Sequence, residues 1–146
     1  MTNNERSSEN ADVVRRVFDS VRQQDLDGLL SLYHRDVVVR EPASLPHGGV
    51  HRGHDQVRAA AICWSETWGP HRQNEEPSLA PELFESTDDH VVARWRLRAH
   101  DHAGEGVDVE AIDIYRLRDG KVLELETYYR DTAALVSFLE RASRAG

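Results

Sequence analysis

The chain has 146 residues, a formal net charge of −8 and an isoelectric point near 5.4. This length fits one domain with a single hydrophobic core. The acidic balance disfavours a nucleic-acid partner, because phosphate contacts need a basic surface, and no polybasic patch indicates an anionic membrane. Cys63 is the only cysteine, so the chain has no intrachain disulfide, and a reducing, cytoplasmic environment is expected.

The amino-terminal stretch MTNNERSSEN is polar and lacks the apolar centre of a secretion signal. Residues 1–9 are predicted to form a disordered tail, followed by a single domain over 10–146. The longest apolar run, 59–64, is too short to span a bilayer, so no membrane-spanning segment is predicted.

Two helices and a short strand are predicted for the first part of this domain. Apolar residues at helical spacing predict a first helix from about residue 10 to 24. Asp25 is placed to cap a second helix, whose apolar stripe includes Tyr33. The β-branched run at 37–41 predicts a strand, which Pro42 ends.

A loop and a third helix are predicted next. The segment 42–53 contains two prolines and three glycines and is predicted to be largely loop. The third helix is predicted over 55–68, with Trp64 and Trp68 on its apolar side. A Gly-Pro pair that begins at Gly69 ends it.

The second half of the chain predicts four antiparallel strands and a last helix. The strands are placed at about 78–86, 91–100, 107–118 and 122–129. The Asp119-Gly120 pair between the last two strands is typical of a tight hairpin turn, and Asp131 is placed to cap the helix. This order predicts an α+β fold, in which a cone-like, curved antiparallel sheet wraps around helices and encloses a pocket.

Two carboxylates are predicted to lie on apolar strand faces. Strict alternation places Asp113 on the same face as Ala111 and Tyr115, and Glu41 on the same face as Val39. Burial raises the pKa of a carboxyl group because the charged form loses solvation. If the surroundings of the two carboxyl groups differ within one pocket, one group is ionised while the other is protonated. We predict that Glu41 accepts a proton and that Asp113 donates to a developing oxyanion. The alternative is a structural role, with buried arginines or backbone donors satisfying both groups.

The order of elements and three local motifs resemble the nuclear transport factor two-like superfamily, in its SnoaL-like and ketosteroid isomerase-like branches. The motifs are QQDLDGLLSLYHRDVVVREP, GGVHRGHDQVRAA and AIDIYRLRDGKVLELETYY, and the resemblance covers about residues 11 to 142. It implies a homodimer and a cofactor-independent isomerase or cyclase. The substrate class that it implies is a hydrophobic polyketide-, terpenoid- or steroid-like small molecule.

The resemblance also implies roles for individual residues. Ketosteroid isomerases place their base in an acid-Pro motif and a protonated Asp in the strand before a hairpin, positions that match Glu41 and Asp113 here. Their oxyanion-hole tyrosine falls at Val17, which has no hydroxyl, so another donor is needed. Three tyrosines on predicted buried faces are candidates for that donor: Tyr33, Tyr115 and Tyr129.

Further aromatic and histidine side chains are predicted around the pocket. Three tryptophans are expected to line the cavity or the core: Trp64, Trp68 and Trp95. Three histidines follow one another at spacings of four and three, His47, His51 and His54, but they match no fixed zinc template, so no metal is predicted. They lie where the family has a flap over the pocket, and we assign His47 to the pocket wall as a group able to assist proton transfer.

Two other functional classes stay open. Epoxide hydrolases and epoxide-opening cyclases of the same fold pair carboxylates, but Glu66 lies opposite the apolar side of the third helix, and Thr127 stands where limonene-type enzymes have an Asp. The other class is a non-catalytic small-molecule-binding or dimerisation module. The basic row Arg94, Arg96 and Arg98, beside acidic rows on neighbouring strands, predicts an exposed or dimerising sheet face.

Overall fold

Four α-helices and six strands make up residues 2–72 and 80–145, the part of the chain that the computed structural model describes. The helices are α1 (Asn3–Arg22), α2 (Leu26–Ser31), α3 (Gly53–Trp68) and α4 (Thr132–Ala145), and a 3-10 turn (Gly69–His71) follows α3. The strands are β1 (Tyr33–Glu41), β2 (Gly49–Arg52), β3 (Glu82–Ser86), β4 (His90–His100), β5 (Gly106–Arg118) and β6 (Lys121–Tyr129). This order confirms the predicted α+β class.

The six strands form one curved, unclosed sheet in the order β2-β1-β6-β5-β4-β3. The predicted antiparallel meander is present as β3 to β6. β1 adds to it beside β6 in a parallel pairing, which the predicted all-antiparallel sheet did not include. A parallel pair needs a long crossover, and α3 with the meander supplies it. Helices α1 and α3 pack on the inner face of the sheet.

The first helix begins earlier than predicted. Thr2 and Glu5 form a capping box, in which each side chain accepts a hydrogen bond from the backbone N–H of the other residue. This arrangement satisfies donors that would otherwise lack partners at a helix start. Residues 3–9 are therefore helical in the structure, which corrects the predicted disordered tail. None of the helices in the described ranges combines the length and the apolarity that a membrane crossing requires.

Two boundaries around β1 also differ from the prediction. Tyr33 is the first residue of β1 and does not belong to the second helix, which ends at Ser31. The strand begins here because Val122 of β6 pairs with Tyr33 and donates its N–H to the carbonyl of Leu32 at 2.9 Å. The predicted loop 42–53 contains β2, which turns back onto β1 after Gly49, whose φ of 103° lies in the left-handed region.

The capping and turn predictions are confirmed. Asp25 accepts from the N–H of Gly28 at 2.9 Å, and Asp131 accepts from the N–H of Ala134 at 3.0 Å. In the last hairpin Asp119 and Gly120 both have positive φ, 54° and 73°, as a tight turn of this kind requires. The strand predicted at 78–86 is described only as Glu82–Ser86, and residues 78 and 79 lie outside the described ranges.

The outer face of the sheet carries the predicted charged rows. Arg96 contacts Asp108 with Nε and Oδ1 2.8 Å apart, and Arg94 contacts Glu82 at 2.7 Å. Exposed ion pairs of this kind contribute about 0–1 kcal/mol each to stability, so the fold does not depend on them. The buried polar groups that bear on function lie on the opposite, inner face.

Candidate active site

A cavity of about 380 Å³ lies between the inner face of the sheet and helices α1 to α3. Strands β1, β4, β5 and β6 supply one wall, and it includes both predicted carboxylates, Glu41 and Asp113. The cavity opens to solvent at a rim of five exposed lining residues: Gln24, Asp25, Ile62, Ser65 and Glu66. The predicted pocket is therefore present, and it is mostly apolar apart from a small polar cluster.

Asp113 lies at the middle of β5 and is only 4% exposed. Its Oδ2 accepts from the Tyr115 hydroxyl at 2.8 Å, and its Oδ1 accepts from the Thr127 hydroxyl at 2.9 Å. Burial raises the pKa of Asp113 to about 6. The Trp95 indole and the two hydroxyls oppose this rise, and the nearby charge of Glu41 adds to it. A carboxyl group that exchanges its proton near neutral pH is suited to general acid–base catalysis.

Glu41 is the last residue of β1, where it pairs with Gly49 of β2, and the strand alternation holds to this end. Its Oε1 accepts from the Tyr129 hydroxyl at 2.9 Å, and its Oε2 contacts Nδ1 of His47. These two contacts fix the position of the carboxylate at the cavity wall.

The protonation of His47 follows from its second partner, Trp68. The indole N–H of Trp68 donates to His47 Nε2 at 2.9 Å. An indole can only donate, so Nε2 carries no hydrogen, and the proton of the neutral ring lies on Nδ1, from which it is donated to Glu41. His47 is thus a buried, neutral group that orients Glu41.

The structure brings together most of the side chains predicted for the site. Eight of them line the cavity: Val17, Tyr33, Glu41, His47, Trp64, Trp95, Asp113 and Tyr115. Trp68 and Tyr129 do not line it and lie behind its wall. Trp68 is fully buried and stacks on Phe138 with ring centroids 6.2 Å apart, and Tyr129 packs against Trp95 at 5.9 Å. Trp68 donates a hydrogen bond to His47, and Tyr129 donates one to Glu41; both acceptors line the cavity.

Thr127 is the functional side chain that sequence reasoning assigned to no role in the site. It is buried, lines the cavity and lies directly opposite Asp113 in the β5–β6 pairing. The signal that points to it is cross-strand register, because residues opposite each other on one face have neighbouring side chains.

The side chains of His47, His51 and His54 do not come together at a common site. His51 Nε2 contacts the carbonyl of His47 at 3.0 Å, and His54 Nε2 contacts the carbonyl of Tyr33 at 2.9 Å. His47 is engaged by Glu41 and Trp68 on its two nitrogens. Within residues 2–72 and 80–145, no group of three His, Cys, Asp or Glu side chains is arranged to hold a metal ion.

A curved, unclosed sheet that wraps helices around such a cavity is the nuclear transport factor two-like fold. An NTF2-like protein of unknown function from Burkholderia pseudomallei K96243 superimposes with a TM-score of 0.74 at 24% identity, over 90% of this chain and 97% of its own. TerC, co-crystallized with polyporic acid, gives a TM-score of 0.75 at 24% identity, over 90% and 98%. A candidate SnoaL-like polyketide cyclase from Jannaschia sp. CCS1 gives 0.67 at 20% identity, over 88% and 90%.

Within that superfamily, the chain belongs to the SnoaL-like domain family, whose model matches residues 14–125. An uncharacterized protein from Mycobacterium tuberculosis H37Rv is 32% identical over 127 residues, which cover 87% of this chain and 93% of the relative. The matched segment includes β1 and β5, the strands that carry Glu41 and Asp113. The family and the carboxylate-lined cavity are the two findings on which a proposal about function can be based.

Proposed function

We propose that this protein is a cofactor-independent acid–base enzyme of the isomerase or cyclase type. Its substrate is a hydrophobic polyketide-, terpenoid- or steroid-like small molecule bound in the cavity. The observation that carries the proposal is the pair Asp113 and Glu41 in one apolar cavity, with the pKa of Asp113 raised to about 6. The SnoaL-like family, in which neighbours of the same fold are named as candidate polyketide cyclases, supports the reaction class.

The contacts favour a division of roles that differs from the one predicted from sequence. Asp113 is mostly ionised at pH 7 if its pKa is about 6, so it is the better proton acceptor of the pair. It takes a proton from an acidic C–H bond of the substrate and returns it at another position. Tyr129 and His47 hold Glu41 in place, and the charge of Glu41 adds to the rise in the pKa of Asp113.

The partners of the two carboxylates bear on the structural alternative. Among the described residues, the donors to Asp113 and Glu41 are hydroxyls and a neutral imidazole. If the two carboxylates were purely structural, we would expect arginines or backbone groups as their donors. Hydroxyls and a neutral ring carry no positive charge, so they do not neutralise the negative charge of an ionised carboxylate. A buried charge with no cation beside it is costly, and groups of this kind cluster at functional sites, which supports the catalytic interpretation.

Epoxide opening is supported less well by the same contacts. That chemistry needs a further acid beside the pair. The other acids among the described cavity residues, Asp25 and Glu66, lie exposed at the rim. The position facing Asp113 is Thr127, whose hydroxyl donates to it.

The proposal is tested by proton exchange on a simple ketone. We expect the protein to accelerate exchange of the α-protons of 2-tetralone in D₂O, followed by ¹H NMR, with a rate that rises through about pH 6 as Asp113 ionises. Asp113→Asn should lower this rate by roughly 10²- to 10⁴-fold. Asp108→Asn changes the same residue type on the outer face of the same strand and should leave it unchanged. A wild-type rate in Asp113→Asn, or no acceleration by the wild type, would sink the proposal.

A further inference from the structure

The ionisable side chains around the cavity are of one sign. Four acidic residues line it, and none of its described lining residues is a lysine or arginine. Asp25 and Glu66 lie exposed at the rim, whereas Asp113 is 4% exposed and the Glu41 side chain 11% exposed on the inner wall. Like charges repel strongly where water is largely excluded. The cavity therefore disfavours an anionic ligand and favours a cationic one.

The two carboxylates of the inner wall have more acceptor positions than their neighbours fill. Each carboxylate accepts two hydrogen bonds from side chains described above. The Trp95 indole acts on Asp113 as a further donor. A carboxylate offers about four acceptor positions, so roughly one on Asp113 and two on Glu41 remain for a ligand. A primary ammonium group carries three N–H donors and no acceptor, which suits such a wall.

Tyr33 is a second sign that the inner wall lacks a ligand. It is only 5% exposed and lines the cavity, and no described residue makes a hydrogen bond with its hydroxyl. Burial raises the pKa of Tyr33, and the charges of Asp113 and Glu41 raise it further, so the phenol lies near both carboxylates. Polar side chains buried to this degree are usually hydrogen-bonded, and a hydroxyl oxygen is able to accept.

Aromatic rings make up much of the remaining wall. Five aromatic side chains line the cavity: Phe18, Tyr33, Trp64, Trp95 and Tyr115. The face of an aromatic ring attracts an organic cation, and groups of such rings are a common binding site for ammonium ligands. The same rings offer apolar surface to the rest of a ligand. The volume of about 380 Å³ lies within the usual range for small-molecule sites, about 300–1,000 Å³.

We infer that the cavity binds a hydrophobic organic amine in its ammonium form, with the nitrogen against Glu41, Asp113 and Tyr33 and the apolar body along the aromatic rings. The ammonium group supplies the positive charge that the donors around the two carboxylates lack. This inference goes beyond the proposed function, because it concerns the charge of the ligand and holds whether or not Asp113 exchanges protons with a substrate.

Three probes with the same naphthalene ring test the inference by titration calorimetry at pH 7: 2-naphthylmethylammonium, 2-naphthalenemethanol and 2-naphthoate. We expect the ammonium ion to bind at least about tenfold more tightly than the neutral alcohol, because its hydrogen bonds to carboxylates are charge-assisted. The naphthoate should bind more weakly than both. The comparison uses the wild-type protein alone, so it does not depend on how any variant folds.

Variants then identify the groups that hold the nitrogen. Glu41→Gln and Asp113→Asn each remove one charge with little change in shape, and each should lower the preference for the ammonium ion over the alcohol roughly threefold or more. Tyr33→Phe removes one acceptor and should act in the same direction. Asp108→Asn removes a carboxylate from the outer face of β5 and is the matched control, with an unchanged preference. Circular dichroism confirms that each variant is folded.

The outcomes separate this inference from the proposed function. A preference for the ammonium ion, without exchange of the α-protons of 2-tetralone, supports the amine site and contradicts the enzyme. Exchange without that preference supports the enzyme and contradicts the amine site. Three results overturn the amine site: binding of the alcohol or the naphthoate as tight as that of the ammonium ion, a preference that survives in Glu41→Gln, Asp113→Asn and Tyr33→Phe alike, or binding of none of the three probes.

Discussion

Trp68 and His47 are joined by one buried hydrogen bond, 2.9 Å long, that decides which nitrogen of the histidine carries its proton. The indole occupies Nε2, so Nδ1 is left to donate to Glu41. Trp68, which does not line the cavity, thereby determines that Glu41 receives a hydrogen bond from His47. Tyr129 plays a similar part, because it lies behind the cavity wall and donates to the other carboxylate oxygen of Glu41.

Replacing Trp68 with Phe is expected to release His47. Nε2 then loses its donor, and the buried nitrogen left unpaired destabilises the fold by about 1–3 kcal/mol. Long-range ¹H–¹⁵N NMR should show a single Nδ1–H form of His47 in the wild type and a mixture of the two ring tautomers in Trp68→Phe. Trp64→Phe removes an indole whose ring lies 6.4 Å from the same imidazole, and it should keep the wild-type pattern. A wild-type His47 that carries its hydrogen on Nε2 would contradict the assignment.

The raised pKa of Asp113 predicts how stability depends on pH. A rise from 3.8 to about 6 corresponds to about 3 kcal/mol, because one pKa unit is worth about 1.36 kcal/mol. Between these pH values the folded state binds more protons than the unfolded state, so the free energy of unfolding falls as pH rises toward 6. Urea unfolding at pH 4 to 7 should show this loss in the wild type and not in Asp113→Asn. Asp108→Asn should follow the wild type, and parallel curves for all three proteins would refute the shift.

The unequal use of the tyrosine hydroxyls predicts unequal effects on stability. Tyr115→Phe removes a bond to a buried carboxylate, so it should lower the free energy of unfolding by about 1–3 kcal/mol. Tyr33→Phe removes a hydroxyl at the cavity that makes no hydrogen bond to another described residue, so it should leave stability nearly unchanged. Chemical unfolding of the two variants under one condition makes the comparison. A large loss of stability in Tyr33→Phe would reveal a partner for that hydroxyl.

A homodimer formed through the outer face of the sheet is the proposed oligomeric state. This face carries exposed apolar side chains, Ile114 and Tyr128, among rows of opposite charge. A second copy of the chain would cover these side chains. Sedimentation at micromolar concentration should give a dimer for the wild type and a monomer with unchanged circular dichroism for Ile114→Glu. A wild-type monomer at that concentration would remove the dimer from consideration.

Alternation along a strand was enough to identify the central residue of the site. Asp113 is buried because neighbours two positions away on either side are apolar, and that pattern needs no knowledge of the partner strands. Helix caps at Asp25 and Asp131 and the turn at Asp119-Gly120 were predictable for a similar reason, since each depends on a few consecutive residues.

Contacts between strands could not be predicted in the same way. Counting back from the Asp119-Gly120 turn in a regular hairpin places Glu126 opposite Asp113. A register shift between Arg116 and Leu117 moves the pairing by one residue, so that Thr127 takes that place. A bulge depends on how the whole sheet twists, and no local pattern marks this one. The start of β1 at Tyr33 likewise depends on β6, which lies far along the chain.

The parallel pairing of β1 with β6 has a consequence for how the candidate site is assembled. Glu41 and Tyr129 are 88 positions apart in sequence, and only this pairing brings them within hydrogen-bond distance. Closing a loop of that length costs entropy, and contacts between distant parts of a chain slow its folding. Glu41 and Tyr129 therefore come together only when β1 and β6 pair. A fragment that lacks either strand cannot form this contact, so the Tyr129–Glu41 hydrogen bond is a sign that the whole sheet has formed.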